Sequence, residues 1–86
     1  MHGAWHDRLM NLNLTRAQLE YAIDQYIVGY LHCGRDRDVL RRRLIDGATF
    51  DALAAEFYVS PTLAKTIVRR GVTTLLDRIA AAENEP

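Results

Sequence analysis

The chain has 86 residues, room for one small domain built on one hydrophobic core. Hydrophobic residues make up 49% and charged residues 26%, which excludes a disordered chain, and the formal net charge of zero excludes a polycation that coats nucleic acid indiscriminately. With only 5 Gly, 2 Pro and no alternating β-branched runs, an all-α fold is expected, a compact bundle of about four helices in which any basic function is local.

Residues 1–14 read as a leader, in which Trp5, Leu9 and Leu12 are spaced for a short helix that docks on the body or on a second copy. The domain proper is expected over residues 15–82. It opens with Thr15-Arg16-Ala17-Gln18, a capping box in which the Thr15 hydroxyl and the Gln18 amide satisfy orphan amides at a helix start. Behind it Leu19, Ile23, Ile27 and Tyr30 form an apolar stripe to about Leu31, and His32-Cys33-Gly34 breaks it. A second helix is expected from about Asp36, as cap, through Val39, Leu40 and Leu44 to Gly47, a residue suited to the left-handed position after a helix end.

Thr49 is the next cap, and Phe50, Leu53, Ala54 and Phe57 predict a short third helix that stops near Tyr58. Ser60-Pro61 is the sharpest punctuation in the chain, Ser being a favoured cap and Pro a favoured first helical residue. The fourth helix should run from there to about Ala82, with Ala64, Ile67, Val68, Gly71, Leu75 and Ile79 inward and Val72 and Leu76 outward. Residues 83–86 read as a frayed acidic tail.

The third and fourth helices, joined by Tyr58-Val59-Ser60, have the form of a helix-turn-helix, whose second helix can enter a DNA major groove. On a helical wheel the side opposite the core presents Thr62, Thr66, Arg69 and Thr73, flanked by Lys65 and Arg70, and residues 60–78 carry a net charge of +3. Arg bonds guanine bidentately, Thr offers a hydroxyl or a methyl contact, and Lys pairs with guanine or phosphate.

These segments resemble the fourth conserved region of bacterial sigma factors and the small sigma-like proteins of bacterial and prophage genomes. The resemblance runs from RDRDVLRRRLIDGATFDALAAEFYVSPTLAKTIVRRG to LLDRI, about half the chain, and rests on Asp46-Gly47, on Thr49-Phe50-Asp51-Ala52-Leu53-Ala54 and on Val59-Ser60. It implies that Pro61, Thr62, Lys65, Thr66 and Arg69 face DNA and that Arg41 and Arg43 approach phosphates; with Ser60 and Arg70 these form the candidate DNA-binding set. Two residues depart from the family: Tyr58 stands where Gly is common, and Leu63 where a DNA-facing polar residue is common. The length leaves no room for the promoter-melting and clamp-binding regions of a complete sigma factor, so the expectation is a stand-alone regulator of transcription that binds double-stranded DNA.

The alternative is a protein-binding module encoded by a mobile element, which uses the same scaffold to engage or inhibit a host factor such as RNA polymerase or a defence (CRISPR-type) nuclease. Leu63, Tyr58, Val72 and Leu76, read as exposed apolar groups, motivate it. Homodimerisation through the first helix or the end of the fourth is open, since paired half-sites raise affinity. Tyr21, Tyr26 and Tyr30 read as core edge or dimer seam in preference to base-stacking groups.

Nothing in the sequence points to an enzyme, a metal or a cofactor. His2 and His6 lack a third ligand, His32-Cys33 lacks an orienting group, and Gly29, Gly34 and Gly47 form no phosphate loop. Asp36, Asp38, Asp46, Asp51 and Glu56 read as caps and surface charge. The run Arg41-Arg42-Arg43 is a phosphate-binding strip or a solvated helix face. No apolar stretch approaches about 18 residues and the first ten residues lack a secretory pattern, so no membrane span or export is expected, and the single Cys33 suits a reducing bacterial cytoplasm.

Overall fold

Three of the four helices begin at a hydroxyl side chain that closes their first turn. The computed structural model of the chain describes residues 12–27 and 34–83, and all regular structure among them is helical: α1 (Arg16–Tyr26), α2 (Gly34–Leu44), α3 (Phe50–Phe57) and α4 (Pro61–Glu83). Ahead of α1 the capping box is complete, with the Gln18 N–H donating to Thr15 Oγ1 at 3.1 Å and the Thr15 N–H to Gln18 Oε1 at 2.9 Å. Thr49 Oγ1 accepts from the Ala52 N–H at 3.1 Å, and Ser60 Oγ from the Leu63 N–H at 3.0 Å, which leaves Pro61 as the first residue of α4.

The second helix begins earlier than its sequence suggests. Asp36 is not its cap but lies inside the first turn, where its carboxylate meets Arg35 at 3.1 Å and the partial positive charge of the helix start. The stripe of α1 ends, among the described residues, at Ile27, its C-terminal cap; the expected continuation to Leu31 lies outside them, as do the leader residues Trp5 and Leu9, His2, His6, His32, Cys33, Tyr30 and residues 84–86.

Two left-handed residues turn the chain between elements. Gly47, at φ 74°, follows α2 as expected of glycine. Tyr58, at φ 57° and ψ 44°, ends α3, and the Val59 N–H closes back on the Ala54 carbonyl at 3.1 Å, so a bulky residue occupies a position that glycine would fill without strain. The Tyr58 side chain is 94% exposed and loses little packing if removed. Tyr58→Gly is therefore expected to stabilise the fold by about 0.5–1 kcal/mol in thermal unfolding, relief of left-handed strain outweighing the greater freedom of an unfolded glycine.

Helix α4 is the centre of the bundle: each of the three shorter helices packs on it, and α2 also touches α1 and α3. Ile23 and Ile27 of the α1 segment, Val39 and Leu40 of α2, and Leu53 of α3 bury against Ala64, Ile67, Val68, Val72, Leu75 and Leu76. Two of these correct the sequence reading. Val72 and Leu76, expected outward, are 0% and 7% exposed, because a helix packed against three others buries a wider stripe than a wheel drawn for one partner allows. Ile79, expected inward, is half-buried. Gly71 is buried against α2: a Cβ built on it would lie 2.7 Å from Leu40 Cδ2 and 2.9 Å from Cδ1.

Of the tyrosines expected to pack, Tyr26 lies half-buried against the core, whereas Tyr21 is 64% exposed and forms no part of it. No described helix is long and apolar enough to cross a membrane.

Candidate nucleic-acid interface

The short connection Tyr58-Val59-Ser60 leads into α4, whose first turns bury one side in the bundle and expose the other. Ala64, Ile67 and Val68 face inward, so the remaining positions of those turns are solvent-facing by helical periodicity. Ser60, Pro61, Thr62, Lys65, Arg69, Arg70 and Thr73 are exposed, while Thr66 is only half-buried and its hydroxyl donates to the Thr62 carbonyl at 3.1 Å. Thr66 thus offers a methyl and a lone pair to the outside, its proton being used.

From Pro61 through Leu76 this helix carries three cations and no carboxylate; its first acid is Asp77. Among the described residues neither Lys65, Arg69 nor Arg70 is within ion-pair distance of an acid.

The arginines of α2 are placed differently. Arg41 pairs with Asp24 at 3.1 Å and Glu20 at 3.6 Å on α1, and Arg42 with Asp46 and with Glu56 on α3, both at 3.0 Å. Arg16 bridges Glu20 and Asp46 at 3.8 Å, which joins the pairs into one surface network. The hydrogen bonds of Asp46 and then Glu56 hold the Arg42 guanidinium even more firmly protonated than usual. Each exposed pair adds little stability, under about 1 kcal/mol. Their consequence is electrostatic: a phosphate approaching Arg41 meets the carboxylates of Glu20 and Asp24 as well.

Arg43 is bound in another way. Its Nη1 donates to the Ala48 carbonyl at 2.9 Å, and its Cζ lies 4.2 Å from the centroid of the Phe50 ring. Lys65 Nζ lies 5.6 Å from the same centroid, so the fold brings together two candidate residues from α2 and α4 that are far apart in sequence. Arg41 and Arg43 are thereby divided, one among acids and one on the ring that Lys65 also approaches.

Phe50 was legible only as part of the inward stripe of α3, and it packs half-buried against the core. Its role as the platform for two cations has no local sequence signal, since Arg43 and Lys65 lie outside its helix. At the same end of α4 Tyr58 and Leu63 remain apolar and exposed, at 94% and 39%. Comparison of the chain with protein-family models, with curated proteins and with solved structures returned no match.

Proposed function

We propose that this chain is a small sigma-like helix-turn-helix protein that binds double-stranded DNA through the exposed face of the first turns of α4 and regulates transcription. The observation that carries the reading is the segregation of charge: Lys65, Arg69 and Arg70 stand on the exposed side of α4 with no ion pair to an acid among the described residues, while Arg41 and Arg42 are matched to carboxylates. A single helix fits the major groove, and its outward ridge of Thr62, Arg69 and Thr73 combines a guanine-bonding cation with groups that hydrogen-bond or touch thymine methyls. Thr66 adds its methyl to that ridge, and Ser60 and Pro61 set the helix start that faces the DNA. The three-residue turn between α3 and α4 and the sigma-like motif across them support the same reading.

The test is a fluorescence-anisotropy titration of the folded protein with a mixed pool of genomic duplexes at low and at physiological salt. Binding that weakens steeply with salt, as release of phosphate counterions requires, is the expected result. A folded protein that binds no duplex at low salt overturns the reading.

The exposure of Tyr58 and Leu63 beside the basic strip favours a second reading, in which a mobile-element module docks on a host protein such as RNA polymerase or a CRISPR-type nuclease. Burial of Val72 and Leu76 removes half of the apolar surface on which that reading was first based. Stoichiometric co-purification with purified RNA polymerase that survives nuclease treatment, and is lost in Tyr58→Ala/Leu63→Ala, distinguishes it from DNA binding.

A further inference from the structure

The ring of Phe50 lies at the junction of α2, α3 and α4 with two cations near it, and among the described residues no carboxylate is bonded to either. Arg43 is anchored there twice, by the ring at 4.2 Å and by the Ala48 carbonyl at 2.9 Å. Lys65 has the ring alone, at 5.6 Å. A lysine on an exposed helix face otherwise samples many rotamers, and fixing it on binding costs side-chain entropy. An aromatic face that attracts the ammonium removes part of that loss before any ligand arrives.

We propose that Phe50 is a positioning residue of the DNA-binding face: its ring holds the Lys65 ammonium in place to act on one backbone phosphate. This inference rests on the DNA-binding reading above. It divides the labour of the surface, Phe50 and Lys65 setting the register of the protein on the duplex and Arg69 reaching base edges.

The test compares the native protein with Phe50→Leu, which retains apolar bulk without an aromatic face, and with Phe50→Tyr, which retains the face. Two quantities are read: the ring-current displacement of the Lys65 ε-methylene protons in the free protein, and the slope of log affinity against log salt. Phe50→Leu is expected to abolish the displacement, to flatten the slope by about 0.9, the share of one phosphate, and to weaken binding roughly two- to fivefold. Phe50→Tyr should keep native values of all three. A folded Phe50→Leu protein with native slope and affinity overturns the positioning role alone, whereas a native protein that binds no duplex overturns it together with the DNA reading. Lys65 protons without displacement in the native protein also overturn it, and that measurement needs no variant to fold.

Discussion

Leu40→Ala is expected to lower the stability of the domain by about 3–4 kcal/mol, and to do so through one close contact with α4. Leu40 is fully buried and its methyls lie where a Cβ on Gly71 would intrude, 2.7 and 2.9 Å away, so it packs directly against the backbone of the central helix. A domain of this size has a total stability on the order of 5–10 kcal/mol, so this one truncation removes a large share of it and lowers the melting temperature by at least about 12 °C. The companion variant fixes the mechanism. In the native background Gly71→Ala gains about 1 kcal/mol of helix propensity but presses a methyl into the end of the fully buried Leu40 side chain, which must shift within the core, and a net loss of about 1 kcal/mol is expected. In the Leu40→Ala background the obstructing atoms are gone, so the same substitution should raise stability by about 1 kcal/mol. The coupling, about 2 kcal/mol, is read from a double-mutant cycle by chemical denaturation. Simple additivity of the two changes would mean that the helices do not meet at this point.

What could be foreseen of this arrangement divides by distance along the chain. Three helix starts were legible because each is decided within four residues, Thr15 with Gln18, Thr49 ahead of Ala52 and Ser60 with Pro61, whereas the start of α2 was placed too late at Asp36. Gly47 and the break at Tyr58 were legible for the same reason. Gly71 looked like a penalty inside a helix, because the neighbour that requires it, Leu40, lies on another element. Val72 and Leu76 were misplaced because the number of helices packed on α4 is a tertiary fact, and three neighbours bury more of a helix than one. The candidate site shows the same division. The exposed cations at Lys65, Arg69 and Arg70 follow from periodicity, whereas the pairing of Arg41 with α1 and the gathering of Arg43 and Lys65 on Phe50 depend on contacts that no local spacing reports.

Duplex binding should fall by one to three orders of magnitude at physiological salt in Lys65→Ala/Arg69→Ala, with the two residues contributing in distinguishable ways. Both side chains are exposed on the acid-free face of α4, four residues apart and hence about one helical turn along the same ridge. Lys65, drawn towards the Phe50 ring at the rim of the face, is placed for a phosphate: Lys65→Ala alone should weaken binding about equally on all sequences and reduce the salt slope by about 1. Arg69 has no ring or carboxylate partner among the described residues, leaving its planar fork open for the two acceptors of a guanine edge. Arg69→Ala should cost about 1–3 kcal/mol on the selected operator and relax preference at one base-pair position. An Arg69→Lys variant keeps the charge but not the fork, so it should restore the salt slope without restoring the base preference. If Arg69→Ala instead weakens all duplexes alike and lowers the slope, Arg69 is a second phosphate contact and the reading of sequence falls to Thr62, Arg70 and Thr73. If the double variant binds as the native protein does, the acid-free face of α4 is not where DNA lies, and the exposed Tyr58 and Leu63 at its start become the surface to follow.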